Sequence, residues 1–280
     1  MLNEQIELAK KFIEDADAVL ITAGAGMGVD SGLPDFRGNE GFWREYPAIK
    51  HLGLDFEDIA NPKWFSKNPP LAWAFYGHRL NLYRETKPHN GFKMLLDLVK
   101  SKNEDYFVVT SNVDGQFQKA GFDEEKVFEV HGSIHHFQCS KNCTDEIWDA
   151  DEESINIDME KFEAQNIPLC KKCGDVARPN ILMFGDWDWN GDRADTQEDK
   201  FYNWFNSLKK DGKKLAIIEI GAGKAIPTIR NYGKKFAKKS KNFKLIRINP
   251  RDFYVSQYIG YSIPCGGLDG LNKILSFYIH

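Results

Sequence analysis

The sequence predicts an α/β protein built on a doubly wound parallel sheet, with a smaller inserted module and a helical cap. Apolar runs rich in β-branched residues alternate with helical segments, which is typical of a parallel sheet covered on both faces. The first run leads directly into a glycine loop, and two close pairs of cysteines lie in the second half of the chain. The predicted strands are residues 18–23, 105–110, 127–130, 214–220 and 243–248.

Length and composition limit the classes of protein to consider. A chain of 280 residues with a hydrophobic fraction of 42% can bury a large core in one main domain. A net charge of -4 argues against a broadly basic nucleic-acid binder, and the Lys-rich run 234–241 is interpreted as the solvated face of a helix. Residues 1–5 lack the layout of a signal peptide, and no apolar run reaches the ~18 residues of a membrane span. We therefore expect a cytoplasmic protein with no membrane partner and no specific nucleic-acid partner.

The first unit of the chain combines a helix, a strand and a loop. Residues 3–15 place apolar side chains on one helical face, with Asn3 as the predicted N-cap, and the helix leads into the first strand. That strand opens into Gly24, Ala25 and Gly26. Glycines at such a turn let backbone N–H groups approach an anion, which is the basis of dinucleotide binding in Rossmann-like folds. The spacing G-x-G-x-G differs from the dehydrogenase fingerprint.

Polar residues follow the next two predicted strands. Residues 105–110 lead to Ser111, Asn112 and Asp114, at the edge where open α/β sheets bind ligands. A plain Asx turn is the alternative. Residues 127–130 end at His131, whose neutral imidazole is suited to removing a proton near pH 7, although a satisfied core histidine is also compatible with this position.

The cysteine spacing predicts a metal site independently of any other motif. Cys139-x3-Cys143 and Cys170-x2-Cys173 form two pairs with 26 residues between Cys143 and Cys170. Paired cysteines in a chain without a signal peptide are typical of zinc ligands. Four thiolates leave no position open for water, so we expect a structural Zn²⁺ that takes no part in catalysis.

Several motifs, in order along the chain, are similar to those of one family. Residues 24–38, GAGMGVDSGLPDFRG, resemble the signature GAGxSxxSGIPDFRG of the sirtuin (Sir2) family. SNVDGQFQKAG at 111–121 resembles QNIDxLHxxAG, and RPNILMFGD at 178–186 resembles RPxVVxFGE. The resemblance implies a single catalytic domain over 1–280, with a helical cap insert at about 39–90 and a zinc-binding insert at about 133–178.

The resemblance also implies an activity, namely NAD-dependent protein-lysine deacylation that releases nicotinamide and O-acyl-ADP-ribose. The substrate would be an acylated-lysine protein or peptide, with NAD as co-substrate and zinc as a structural ion. By position in the motifs, His131 would be the catalytic base, Asn112 would order water and the ribose, and Asp114 would hold the nicotinamide carboxamide. Phe36 would shield the reactive sugar, and Arg37 would meet the phosphates.

Further residues are assigned by the same resemblance. Acyl-lysine peptides would lie as an added strand against Phe184 and Gly185. NAD would be contacted by the motif residues Gly24, Ala25, Gly26, Asp35, Phe36, Arg37, Ser111, Asn112, Asp114, Gly221, Gly223, Asn249 and Cys265.

The cap carries a motif that bears on the acyl group. WAFYGHR at 73–79 matches the cap pattern W-x-F-Y-x-x-R, and sirtuins that prefer succinyl- or malonyl-lysine have Tyr-x-x-Arg there. Tyr76 and Arg79 could bind a carboxylate, or they could be helix neighbours on a solvated face. The sequence therefore leaves deacetylase and desuccinylase or demalonylase open.

Departures from the family pattern keep other functions open. Gly28 and Gly223 stand where Ser is usual, Ser111 stands where Gln is usual, and Gln116-Phe117 replaces Leu-His. The match also stops at Trp187. Protein ADP-ribosyl transfer, NAD hydrolysis and an NAD-sensing binding module are the alternatives. A pure binding module has no need of a base, so the presence of both His131 and Asn112 favours an enzyme.

Overall fold

The computed structural model describes residues 2–34 and 46–276, without the side chains of residues 48 and 51. In chain order its regular elements are α1 (Leu2–Asp15), β1 (Ala18–Ala23), α2 (Phe56–Ile59), α3 (Trp64–Lys67), α4 (Pro69–Glu85), α5 (Asn90–Ser101), β2 (Tyr106–Thr110), α6 (Gln116–Lys119), β3 (Val127–Glu129), β4 (Gly132–Cys139), β5 (Trp148–Asp149), β6 (Ile157–Asp158), β7 (Glu163–Ala164), β8 (Ala177–Ile181), α7 (Asp192–Lys210), β9 (Leu215–Ile220), α8 (Thr228–Ala237), β10 (Phe243–Ile248), β11 (Gly260–Ile263) and α9 (Gly267–Leu275).

The main body is a six-stranded sheet in the order β11-β10-β9-β1-β2-β3, and every neighbouring pair is parallel. Every residue of β1 and β9 is buried, as expected for strands covered on both faces. Helices α1, α5 and α9 contribute to the core on one face, and α7 and α8 contribute to the core on the other. The prediction of a doubly wound α/β fold is confirmed.

Two details differ from the sequence prediction. The strand at 243–248 is not the last, because β11 pairs with it in parallel and forms the sheet edge. β11 has only four residues and includes a glycine, so it lacks the apolar run that identified the other strands. Helix α1 begins at Leu2, so Asn3 lies inside the helix and is not its N-cap.

The helical cap and the cysteine-bearing insert share a hydrophobic core. Trp73 of α4 is fully buried, its indole N–H donates to the Ala177 carbonyl of β8 at 2.9 Å, and its ring lies 5.0 Å from that of Phe137 in β4. Buried aromatic pairs of this kind contribute beyond their area. The two inserts therefore support each other beside the main sheet. Within 2–34 and 46–276, no helix is long and apolar enough to cross a membrane.

Candidate active site

Six loops meet at the carboxyl edge of the main sheet, one after each parallel strand. The chain runs from β1 to β2 and β3 on one side and from β9 to β10 and β11 on the other, so the direction of winding changes between β1 and β9. Ligands of open α/β sheets bind at such a switch point. Each loop carries a predicted site residue in its first two positions: the NAD contacts Gly24, Ser111, Gly221, Asn249 and Cys265, and the catalytic base His131.

The glycines after β1 and β9 bring two loops into backbone contact. A Cβ on Gly24 would lie 2.9 Å from the Gly221 oxygen, and one on Gly221, whose φ is +64°, would lie 2.3 Å from the Gly26 carbonyl carbon. The Gly26 N–H donates to the Gly221 oxygen at 3.1 Å. The expectation that these glycines leave N–H groups bare for an anion is therefore wrong at Gly26, since close packing of the loops takes up this donor.

The loop after β9 leaves open space beyond the packed glycines. A Cβ on Gly223 would meet nothing within 4 Å, so the β9 loop opens away from the packed glycines. Ala25 begins a short 3-10 turn, Ala25–Met27, that carries the chain away from the sheet edge. The NAD predicted from the sequence would be held beside these loops. Asp35, Phe36 and Arg37, which complete the predicted phosphate loop, lie outside the described residues.

Asn112 joins the loops after β1 and β2. Its side-chain amide donates to the Gly24 carbonyl at 3.1 Å, and its backbone N–H donates to Thr110 Oγ1 at 3.0 Å. The Ser111 N–H donates to the Ala23 carbonyl at 3.1 Å. These bonds hold the two sequence motifs together at one point of the sheet edge.

Asp114 is a buried carboxyl group beside this junction. It is 9% exposed, and its Oδ1 accepts a 3.0 Å bond from the Gln116 N–H, so the Asx turn considered above does form at Asp114. Burial raises the pKa of Asp114 to about 6, and the negative charge of Glu129 also raises it. His135, which the sequence did not single out, places Nε2 3.0 Å from the Asp114 carbonyl oxygen.

The raised pKa of Asp114 has a consequence for stability. A carboxyl whose folded-state pKa lies above its unfolded value stabilises the fold at pH values below the unfolded pKa and loses that contribution as pH rises through about 6. We expect Asp114→Asn, whose amide oxygen can still accept from Gln116, to raise the free energy of unfolding by about 2–3 kcal/mol at pH 8. This increase in the free energy of unfolding should become smaller as the pH falls from 6 to 4. Urea unfolding of both proteins across this range measures it, and an equal difference at pH 8 and pH 4 would contradict the assignment.

His131 is partly buried and tied to two neighbours. Its carbonyl accepts a 2.9 Å bond from the Leu182 N–H, beyond the end of β8. Gly132 has φ +76°, and a Cβ there would lie 2.0 Å from the Asn180 oxygen, so the glycine is needed for this close approach. Burial lowers the pKa of the His131 imidazole, against an opposing hydrogen bond to the Ser111 backbone. The imidazole is therefore neutral near pH 7 and able to accept a proton.

Asn249 and Asp30 hold loops together on the far side of the switch point. Asn249 donates to the Ala222 carbonyl at 3.0 Å and accepts from the Asp252 N–H at 2.7 Å, so both ends of its side chain are engaged within the protein. Asp30 Oδ2 accepts a 2.8 Å bond from the Leu268 N–H in the first turn of α9, a favourable place for a carboxylate. No local pattern identifies Asp30 in the sequence, because its partner lies 238 positions away.

Cys265 lies under the first turn of α9. Its residue is 6% exposed, and its sulfur accepts a 3.4 Å bond from the Lys273 ammonium. The thiol is thus covered within the described part of the chain.

The predicted acyl-binding pair is buried in the cap. Tyr76 is 1% exposed and stacks on Phe65 at 5.7 Å, and Arg79 is 8% exposed. The Arg79 guanidinium donates to the Tyr83 hydroxyl from Nε at 3.0 Å and from Nη2 at 2.8 Å. The alternative interpretation, a solvated helix face, is therefore wrong.

Phe56 connects this arginine to the predicted peptide strand. The Arg79 guanidinium lies 5.8 Å from the centre of the Phe56 ring, and Phe56 meets Phe184 edge to face at 6.0 Å. The Phe184 N–H donates to the Ala60 carbonyl at 3.0 Å, and the following Gly185 has φ +65°. The segment predicted to bind the peptide is thus fixed to the cap next to Arg79.

The four paired cysteines converge as the spacing predicts. All their sulfurs lie within 4.8 Å of one another, with Cys139 and Cys173 at 3.7 Å and Cys143 and Cys170 at 3.6 Å. Ligands about 2.3 Å from a tetrahedral zinc ion lie about 3.8 Å apart, so this donor set fits Zn²⁺. The contacts are too long for disulfides.

Comparison with known proteins decides the family. The Sir2 family model matches residues 24–211, which is more than half of the chain. This chain is a sirtuin. An NAD-dependent protein deacylase of Leptospira interrogans is 33% identical over 244 residues, which cover 87% of this sirtuin and 86% of the relative. A Thermus thermophilus protein of the same name is 31% identical over 277 residues, covering 97% and 94%.

Solved structures agree on the fold. A crystal structure of a Sir2 homologue–NAD complex superposes on the sirtuin with a TM-score of 0.73 at 22% identity, covering 97% of the sirtuin and 93% of that chain. The predictions of the family, of a sirtuin-type NAD-dependent protein deacylase and of a four-cysteine zinc module are confirmed.

Proposed function

We infer that this sirtuin removes acyl groups from lysine side chains of proteins in an NAD-dependent reaction, and that the loops at the carboxyl edge of the sheet carry the chemistry. The single observation that supports this location is the bond from the Asn112 amide to the Gly24 carbonyl, which joins the two motifs that resemble the family most closely. NAD, when bound, supplies the ADP-ribosyl group that accepts the acyl group and releases nicotinamide.

The roles of the side chains follow from their chemistry. A neutral imidazole nitrogen of His131 accepts the proton of a ribose hydroxyl. Asn112 orders the ribose and a water molecule, and Asp114 binds the carboxamide of nicotinamide in a site that excludes water. Gly24, Gly26 and the Gly221–Gly223 loop shape the space for the dinucleotide, and Asp35, Phe36 and Arg37 are proposed to close it.

The experiment is mass spectrometry of products after incubation with acetyl-, malonyl- and succinyl-lysine peptides, with and without NAD. Deacylated peptide together with O-acyl-ADP-ribose supports deacylation. Free ADP-ribose without deacylated peptide would indicate an NAD hydrolase, and a peptide that gains ADP-ribose would indicate a transferase. Binding of NAD without any product would indicate an NAD-sensing module.

The domain boundaries and the cellular compartment of the protein are part of the same proposal. One catalytic domain would span 1–280, with the cap at about 39–90 and the zinc-binding insert at about 133–178. A shared core of cap and insert, in which Trp73 contacts Ala177, supports treating them as one unit. Four closely spaced thiols without a disulfide favour a reducing compartment such as the cytoplasm.

The acyl group is proposed to carry a carboxylate, as in succinyl- or malonyl-lysine. Arg79 is desolvated among the aromatic rings of Phe56, Phe75 and Tyr83, where a guanidinium can donate hydrogen bonds to a carboxylate. Its contact with Phe56, which also packs on Phe184, supports a position beside the bound peptide.

We expect Arg79→Met to lower kcat/KM for a succinyl-lysine peptide by about 10- to 100-fold, because a buried charge-assisted hydrogen bond is lost. The value of kcat/KM for an acetyl-lysine peptide should be almost unchanged. Tyr83→Phe removes the hydroxyl that orients Arg79, so a smaller loss confined to the succinyl peptide should follow. Steady-state kinetics with both peptides measure this. Wild-type preference for acetyl-lysine, or an equal loss on both peptides, would contradict the acidic-acyl proposal.

A further inference from the structure

Trp187 is unusually exposed for its residue type. Its side chain is 95% exposed, whereas the other tryptophans that the structure describes are buried or half-buried. It lies in the segment after β8 where the sequence ceases to match the family pattern. Tryptophan is enriched at protein interfaces, where its ring supplies a large contact area.

The backbone that carries Trp187 is fixed on both sides. Before it, the buried Asp186 carboxylate forms a bidentate ion pair with Arg178. After it, the Asp188 carbonyl accepts bonds from Gln138 at 2.9 Å and from Asn142 at 3.0 Å. The indole therefore projects from a rigid position, which lowers the entropic cost of binding to it.

Trp187 follows directly on the segment proposed to bind the substrate. Residues 182–185 are fixed beside the cap and His131, because the Leu182 N–H donates to the His131 carbonyl and the Phe184 N–H donates to Ala60. The chain turns at 184–185, and the Asp188 carbonyl next to Trp187 meets Gln138, which pairs with Arg178, three residues before Ile181. An extended peptide advances about 3.3 Å per residue, so a peptide that lies beside this segment can reach that level within about three residues of the acyl-lysine.

The charged groups near Trp187 indicate which kind of side chain it would bind. Exposed carboxylates lie in two loops and at the first residue of α7, and the two loops are joined by the 2.8 Å bond from the Asn190 amide to the Asp145 carbonyl. Within the described ranges these carboxylates form no ion pair, and they are Asp145, Glu146, Asp188 and Asp192. An aromatic face with uncompensated negative charge around it favours a guanidinium, which stacks on indole and is attracted by carboxylates.

We propose that Trp187 is a specificity-determining residue that selects protein substrates with an arginine within three residues of the acyl-lysine. This inference rests on the proposed function and deepens it by naming the sequence class of the substrate. The indole binds the arginine side chain, and the carboxylates around it raise the local concentration of cationic peptides.

The test is kcat/KM for a set of acyl-lysine peptides in which arginine or glutamine occupies each of the three positions on either side of the lysine. We expect arginine to be preferred about tenfold at one position or more, and Trp187→Ala to abolish that preference by slowing only the arginine peptides. Trp187→Phe should retain part of the preference. Tyr258→Ala, which removes an aromatic side chain that is 82% exposed and remote in sequence, should leave it unchanged.

The outcomes separate this inference from the function on which it rests. Deacylation with no preference for arginine, or an equal effect of Trp187→Ala on arginine and glutamine peptides, would overturn the role of Trp187 alone. Failure to deacylate any peptide in the presence of NAD would instead contradict the proposed function.

Discussion

Replacement of His131 with alanine is expected to lower kcat/KM for deacylation by about 10²- to 10⁴-fold, the usual contribution of a general base. Burial lowers the pKa of this imidazole, so the wild-type side chain is neutral at pH 7 and can accept a proton. The dinucleotide contacts proposed for the glycine loops and Asn112 do not involve the imidazole. Affinity for NAD, measured by calorimetry, should therefore change by less than about threefold.

His136 provides a matched control for this substitution. Its imidazole is half-buried in β4, the strand that begins directly after His131, but its Nε2 faces Asp149 at 3.1 Å. His136→Ala should keep wild-type turnover within about threefold. Near wild-type turnover in His131→Ala would show that the base is misassigned, and loss of NAD binding with loss of turnover would indicate a structural role.

Replacement of Cys170 with serine is expected to remove bound zinc and to destabilise the cap together with the insert. Structural zinc contributes about 10–16 kcal/mol of binding free energy in isolated zinc-finger peptides. The insert shares its core with α4 through Trp73, Phe137 and Ala177, so its loss should expose apolar surface in both. We expect zinc to fall from about one equivalent to less than half and Tm to fall by about 10 °C or more.

Cys265→Ser is the matched control, since Cys265 is the one cysteine outside the cluster. It should retain one equivalent of zinc by elemental analysis. Less than half an equivalent of zinc in freshly purified wild-type protein would contradict the assignment of the cluster.

The parts of the fold that follow from local pattern could be predicted. Fully buried strands such as β1 and β9 produce long β-branched runs, and the cysteine pairs need only their spacing to be recognised. Strand β11 could not be predicted, because a four-residue edge strand is defined by its pairing with β10. The burial of Arg79 also depends on tertiary packing, since α4 is buried around most of its circumference and shows little amphipathic periodicity.

The candidate site also has residues that could be predicted from the sequence and contacts that could not. Asn112, Asp114 and His131 follow predicted strands, so their presence at one edge could be inferred from the sequence. The contacts of Asp30 with Leu268 and of His135 with Asp114 could not be inferred. In each, a side chain meets a backbone atom of another segment, and only the fold brings the two together. The role of Gly26 was mistaken for a related reason, since its N–H meets the β9 loop, which is distant in sequence.

Acyl-lysine cleavage and NAD consumption are proposed to be one reaction at this sheet edge. The most direct measurement is the stoichiometry of nicotinamide, deacylated peptide and O-acyl-ADP-ribose in a single time course with a peptide that the enzyme accepts. We expect the three products to form in equal amounts and at equal rates, with all three suppressed in His131→Ala. Deacylation without nicotinamide release, or nicotinamide release that is independent of the acyl peptide, would contradict the account.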